Sequence, residues 1–538
     1  MITMSRKVYY STSIFTADSL NTISGAVVVE GENILYVGDK AGAEKYLEGA
    51  EVEDLGDKTI APGLIDSHTH FFLTGRMLTF SIFADPSYTE ERIVKEMKEL
   101  IKERPGKPFY FVWGYDPGTA GKITTKKLDE YFGKDTATVA IDLTGHAGGF
   151  SSKALELAGW DPNDIPEGSV VEYEDDGSVS YIGETLFLKF LAVLVNEATD
   201  EEIDMAIDEL GAHMNKNGYT STIEVLPLGG IELWNERKYR ERAKEKSLPL
   251  RIAINTALED GPSQWLKFRD DWQWDFAFHV GLKVFVDGVP QGSESAWLEE
   301  PYASRSDWYG EPCIDMDYLR KMVKEANDMG IGVRAHCTGD RSFNEMVRAF
   351  MQSDNTYPVN CIEHGMMISE KSKDLIQEYT KTKTLGVNSQ PELLGIDSVS
   401  KISEMFLGKE RAEKIWPHKS LQESGATVCF SSDCPNAFGD ISTVFRYSVN
   451  RLADEPQSPY ANVGLGMQES FSPAETLIAL TANPAKTMGK ENILGKLKPG
   501  FKADIAIFDQ NIFELDKDAY DQIEVYKTVL NGKEVYEK

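Results

Sequence analysis

Cysteine, positive charge, histidine and long apolar runs are all scarce in this chain, and each scarcity excludes something. The five cysteines, Cys313, Cys337, Cys361, Cys429 and Cys434, are odd in number among 538 residues and form no C-x-x-C pair. That argues against a disulfide framework and against a thiolate metal site, and it suits a reduced, cytoplasmic setting. The most apolar segment, FLKFLAVLV, has about half the length a membrane-spanning helix needs, and the opening MITMSRKVYYSTS has no apolar export core. With Lys+Arg 56 against Asp+Glu 87, the net charge of −31 repels nucleic-acid phosphates and anionic lipid headgroups. The expected partner is a small-molecule substrate, with no nucleic acid and no membrane. The oligomeric state stays open, with a homodimer as the expectation.

Histidine is scarce too, at eight residues, yet two of them stand one residue apart in APGLIDSHTH, at the end of an apolar run. Side chains at i and i+2 of a strand point the same way, so His68 and His70 would offer two imidazoles to one point. Short β-branched segments such as GAVVVEGENILYVGD near the start and GFKADIAIFDQN near the end predict strands that meet as one small satellite domain. Between them, apolar strands alternate with helical stretches, as in YLRKMVKEANDMG leading into IGVRAH. This alternation predicts a parallel sheet of (β/α)₈ barrel size. The expected boundaries are 1–61 and 489–538 for the satellite domain and 62–488 for the barrel. A block at about 107–195, rich in Gly, Asp and Pro, reads as an insertion ahead of the strand that carries Lys283.

Four further polar residues end apolar strands, where barrels place their active sites: Lys283 in GLKVFVDG, His336 in GIGVRAHCTGD, His364 in VNCIEHG and Asp433 in TVCFSSDCPN. Imidazoles and a carboxylate are suitable ligands for zinc and similar ions. Lysine is the odd member, because an ammonium cannot ligate a cation; carboxylation by CO₂ would turn it into a carbamate that can. Taken singly, each has a plainer reading: hydrogen-bonded core histidines, Asp433 as a helix N-cap, Lys283 in an ion pair with Asp287. All six in chain order at strand ends argue jointly for a metal site.

The same segments, with DLTGHAGGFSSKALELAG, GYTSTIEV, VNSQPE and LGKLKPGFKADIAIFD, resemble the amidohydrolase superfamily nearly end to end. Within it they are similar to the YtcJ-like branch, Amidohydro_3, which includes N-substituted formamide deformylases. The resemblance implies a distorted (β/α)₈ barrel (TIM barrel) with a small β-sandwich formed by both termini. It also implies one or two zinc or similar divalent ions per chain, held by His68, His70, a CO₂-derived carbamate on Lys283, His336, His364 and Asp433. His146 falls on the histidine of the family's D-G-H-x-x-W-x-N-S segment, although GHAGGFSSK departs at the tryptophan and asparagine positions. HCTGD and VPQGSESAW also depart from the usual family forms, which bears on the substrate and leaves the metal set intact.

The mechanism expected from these ligands is attack of a metal-activated hydroxide on a polarised carbonyl. Asp433 would act as general base and then acid, and His146 as an oxyanion contact or a structural residue. The expected function is hydrolysis of a small amide or N-acyl or N-formyl compound. Hydrolytic deamination of a ring and an inactive barrel scaffold are the alternatives. Gln390, Trp113, Asp116 and Trp297 are candidate pocket-wall residues, with core packing favoured for the tryptophans. His213, His279 and His418 read as structural.

Overall fold

Eight strands pair in sequence order, each parallel to the next: β1 Leu64–Thr69, β2 Tyr219–Glu224, β3 Arg251–Ala257, β4 Ala277–Phe285, β5 Val333–Cys337, β6 Asn360–His364, β7 Leu385–Ser389 and β8 Thr427–Phe430. These belong to a computed structural model that describes residues 6–196, 199–225, 236–291, 294–395, 402–452 and 464–538. Most of these strands are buried along their whole length, as a parallel sheet covered on both faces requires. The last strand comes back to the first. The Asp433 N–H donates to the His68 carbonyl at 2.9 Å, the Ser67 hydroxyl to the Phe430 carbonyl at 3.1 Å, and the Ser432 N–H to the Asp66 carboxylate at 3.1 Å. Register shifts between β1 and β2 and between β3 and β4 distort this nearly closed barrel. The barrel expectation is borne out.

Both chain ends build a second, eight-stranded sheet of this unit, with Ile505–Phe508 antiparallel to Thr59–Pro62, so that Ala506 faces Ala61. Strand alternation gives it two apolar faces. Val27 and Val29 pack with Tyr9, Ile505, Ile507 and Val529, while Ala26 and Val28 pack with Val8 and Ala43 on the other side. This is the β-sandwich that the resemblance implied.

A separate compact unit comprises His70–Leu210 and Leu226–Arg242. Its six-stranded mixed sheet runs in the order Ser169–Tyr173, Val179–Gly183, Ala147–Phe150, Thr138–Asp142, Tyr110–Tyr115 and Ser81–Phe83. The helix Glu90–Glu103 starts where the Thr89 hydroxyl accepts the Arg92 N–H, and it buries Ile93 and Met97, four residues apart on one face. Ile93 packs with Ala84, Val112, Tyr115 and Leu128. The apolar FLKFLAVLV lies within the helix Glu184–Asn196. None of the described helices is long and apolar enough to cross a membrane.

Candidate metal centre

His68 is the fifth residue of β1, buried to 1% exposure. The strand stops at Thr69, so His70 stands just past it, as the residue that caps the helix Phe71–Phe80. The ligand atoms of His68, His70 and Asp433 nevertheless all lie within 4.8 Å of one another. Asp433 follows β8 by three residues at φ 56°, and His364 ends β6 at φ 72°. Left-handed backbone at non-glycine residues costs energy, on the order of 1–3 kcal/mol, and persists where surrounding structure imposes it. At His364 it also lets two successive residues, Glu363 and His364, both take part in this cluster.

The remaining members come from the neighbouring strands. The His364 ring lies 4.4 Å from the His336 ring and 5.0 Å from the His68 ring, centroid to centroid. Lys283 of β4 is fully buried, and its Nζ has no hydrogen-bond partner among the described residues. It sits within electrostatic reach of Glu363, Asp433, His68 and His364. The ion pair with Asp287 is not what the structure shows. The Asp287 carboxylate instead accepts the N–H groups of Trp297, Thr338 and Gly339 and the Ser342 hydroxyl, tying the segments after β4 and β5 together.

Charge inside the barrel is arranged around His68. Its Nε2 is 3.1 Å from an Asp433 carboxylate oxygen, and its Nδ1 meets Glu363. Burial and the Lys283 amine push the imidazole down, but Asp433 and Glu363 outweigh them and leave it above the ordinary histidine value. Burial works against the Glu363 charge, yet His68, Arg334 and Lys283 hold that carboxyl down to about 2. Burial takes His364 to about 3, so this ring is neutral at physiological pH. Burial likewise lowers the Lys283 amine, against the pull of Glu363 and Asp433.

These groups fit a divalent cation. Imidazoles, a carboxylate and a buried amine with no hydrogen-bond partner among the described residues make a poor core without one, because an isolated buried charge is expensive. A linked expectation follows from the signs. His68, raised above the usual imidazole value, must release its proton before it can ligate, whereas His364 has none to release above about pH 5. Zinc affinity should therefore rise with pH through and above the ordinary histidine range, as measured by chelator competition at stepped pH. A pH-independent affinity between pH 6 and 8 would contradict it.

Other sequence candidates take different places. His146 lies in the second unit, where its Nδ1 is 3.2 Å from a carboxylate oxygen of Glu184, itself at φ 57°. In the same unit Trp113 is buried in a strand, and Asp116 caps a short turn by accepting the Gly118 N–H and the Thr119 hydroxyl. Trp297 is nearly buried, with the Arg341 guanidinium over its ring. His213, His279 and His418 make hydrogen bonds to the Phe438 carbonyl, Thr256 and Ser389. Gln390 proves to be a partner of His364, with 2.8 Å between its Oε1 and Nδ1. Glu363 and Arg334 were missed in the sequence, although charged residues inside fully apolar barrel strands, in VNCIEH and GIGVRAH, were a usable signal, since such charges need partners.

Comparison with known proteins adds to this geometry. A model of the amidohydrolase family matches residues 51–536. The chain is 24% identical to YtcJ of Bacillus subtilis (strain 168), which carries the name of an amidohydrolase, over 99% of this chain and 100% of that protein. It is 22% identical to an N-substituted formamide deformylase of Arthrobacter pascens over 98% of this chain and 97% of that enzyme. The fold is similar to that of an uncharacterized metal-dependent hydrolase from Pyrococcus horikoshii OT3, with a TM-score of 0.75 at 22% identity, covering 96% of this chain and 99% of that one.

Proposed function

The chain belongs to the amidohydrolase family, and from that premise we propose that it hydrolyses a carbon–nitrogen bond, an amide or an N-acyl or N-formyl group, in a small molecule. The observation that carries this reading is the convergence of His68, Lys283, His336, His364 and Asp433 in one buried cluster, with an amine among them that has no hydrogen-bond partner among the described residues. His68, His70, His336, His364, Asp433 and a carbamate on Lys283 would hold one or two zinc or similar ions. An ion held there supplies Lewis acidity, which brings the pKa of a water toward neutrality and draws electrons from a carbonyl.

The protein's own groups divide the remaining work. His364, neutral down to about pH 3, is no general acid at neutral pH and serves to bind. Asp433 is the carboxylate at the cluster's edge, with Asn436 Nδ2 donating to one of its oxygens at 3.2 Å and His68 beside the other. It takes the proton of the attacking water and returns it to the leaving nitrogen. The small odd number of cysteines, four of the five buried, supports a reducing, cytoplasmic setting, and the net charge of −31 supports a small-molecule substrate over nucleic acid.

The test is product analysis on an N-substituted formamide and a panel of N-acyl amines. Equal amounts of carboxylic acid and amine, lost on chelation, are the expected result. Ammonia without acid from a cyclic amine would replace this reading with hydrolytic deamination, and no turnover by a metal-loaded sample of any such compound would favour a scaffold.

A further inference from the structure

Two residues outside the ligand set meet the δ nitrogens of His68 and His364, and both are anchored on Asn388 of β7. Glu363 pairs in register with Asn388 across β6 and β7. One of its carboxylate oxygens contacts His68 Nδ1, while the other accepts from Asn388 Nδ2 at 2.8 Å and lies 3.5 Å from Arg334 Nη1. Gln390 turns its NH₂ group to the Asn388 carbonyl at 3.1 Å and to the Ser431 hydroxyl at 2.9 Å. A carbonyl can only accept, so that side of the amide is the nitrogen, and the amide oxygen is the atom 2.8 Å from His364 Nδ1. Glu363, Asn388 and Gln390 are all buried, so water does not compete for these contacts.

An amide oxygen and an ionised carboxylate accept hydrogen bonds and donate none, so in each histidine the δ nitrogen carries the proton. We propose that Glu363 and Gln390 are positioning residues that hold His68 and His364 in this one tautomer, with Nδ1 protonated, so that both rings offer Nε2 to the ion. The inference rests on the metal reading above and adds to it the two residues that decide which ring nitrogen binds. The opposite tautomer would aim an N–H at the cation, and turning a buried ring round would break its hydrogen bond. The braces are unequal. Glu363 accepts a charge-assisted hydrogen bond, roughly twice as strong as the neutral one that Gln390 accepts, so its loss is the more damaging.

Glu363→Gln is the sharp test because it keeps size and shape. The Arg334 and Asn388 donors would claim its amide oxygen, leaving an NH₂ facing His68 Nδ1 and forcing the proton to Nε2. Zinc affinity should fall by about 10- to 100-fold in chelator competition, with a smaller fall for Gln390→Met. A purely structural role for Glu363 would lower the melting temperature without moving the affinity. A second measurement needs no variant: in zinc-loaded wild type labelled with ¹⁵N-histidine, the remaining ring proton of both His68 and His364 should lie on Nδ1. Eight histidines keep that spectrum sparse. A proton on Nε2 of either ring, or wild-type zinc affinity in Glu363→Gln, overturns the inference while the metal centre stands. Failure of the wild type to bind zinc at all overturns both.

Discussion

Lys283→Ala is expected to abolish turnover and to cut metal affinity by more than the roughly 10- to 100-fold that losing an outer-shell partner costs. The reason is the setting of its amine. Lys283 Nζ is fully buried with no hydrogen-bond partner among the described residues, and burial drives its pKa down against the pull of Glu363 and Asp433, which brings the neutral amine within easier reach than for a lysine in water. A neutral amine is the form that combines with CO₂, giving a carbamate and releasing a proton. That new anion would face Asp433 and Glu363, and it becomes stable only with cations among them, so carboxylation and metal binding should rise together. Acetate or propionate, which can occupy the carbamate's place, should restore a fraction of activity to Lys283→Ala but not to the wild type stripped of metal. A fully active, metal-loaded protein whose intact mass shows unmodified Lys283 would contradict this, as would near-normal turnover of the variant.

Asp433→Asn should lower kcat by about 10²- to 10⁴-fold, the usual worth of positioned proton transfer, while much of the metal stays bound. The substitution is clean because the backbone there is left-handed, at φ 56°, and asparagine tolerates that region as well as aspartate does. The side chain keeps an acceptor oxygen but cannot take a proton. His364, at about 3, cannot replace it as the acid, and His68 is held between Glu363 and Asp433. The acid limb of the rate profile should move or disappear with the carboxylate. Measured on one sample, near-normal kcat would remove Asp433 from proton transfer. Loss of all metal together with activity would make it chiefly a ligand.

The barrel and the candidate ligands were legible in the chain because each is written locally. An apolar run followed by His68, His336, His364 or Asp433 announces a strand and the polar group at its C-terminal end, and the hydrophobic alternation of both termini announces the sandwich. What was not legible depends on register between distant strands. His68 and Glu363 are 295 residues apart, and only the pairing of β6 with β7 brings Glu363 to Asn388. Gln390 looked like a pocket-wall residue, since nothing local says that it accepts the His364 proton. Left-handed backbone at His364, Asp433 and Glu184 is also silent in sequence, because glycine is what normally signals it. In the second unit, strands of three to six residues broken by Gly and Asp turns hid a six-stranded sheet.

On the function proposed above, hydrolysis depends on a single divalent-metal centre built from His68, His70, Lys283, His336, His364 and Asp433. Elemental analysis of purified wild type beside the His68→Ala/His70→Ala double variant addresses it most directly. The wild type should carry one or two zinc or similar ions per chain, and the double variant should lose most of them together with activity. Full metal occupancy in the double variant would contradict this ligand set.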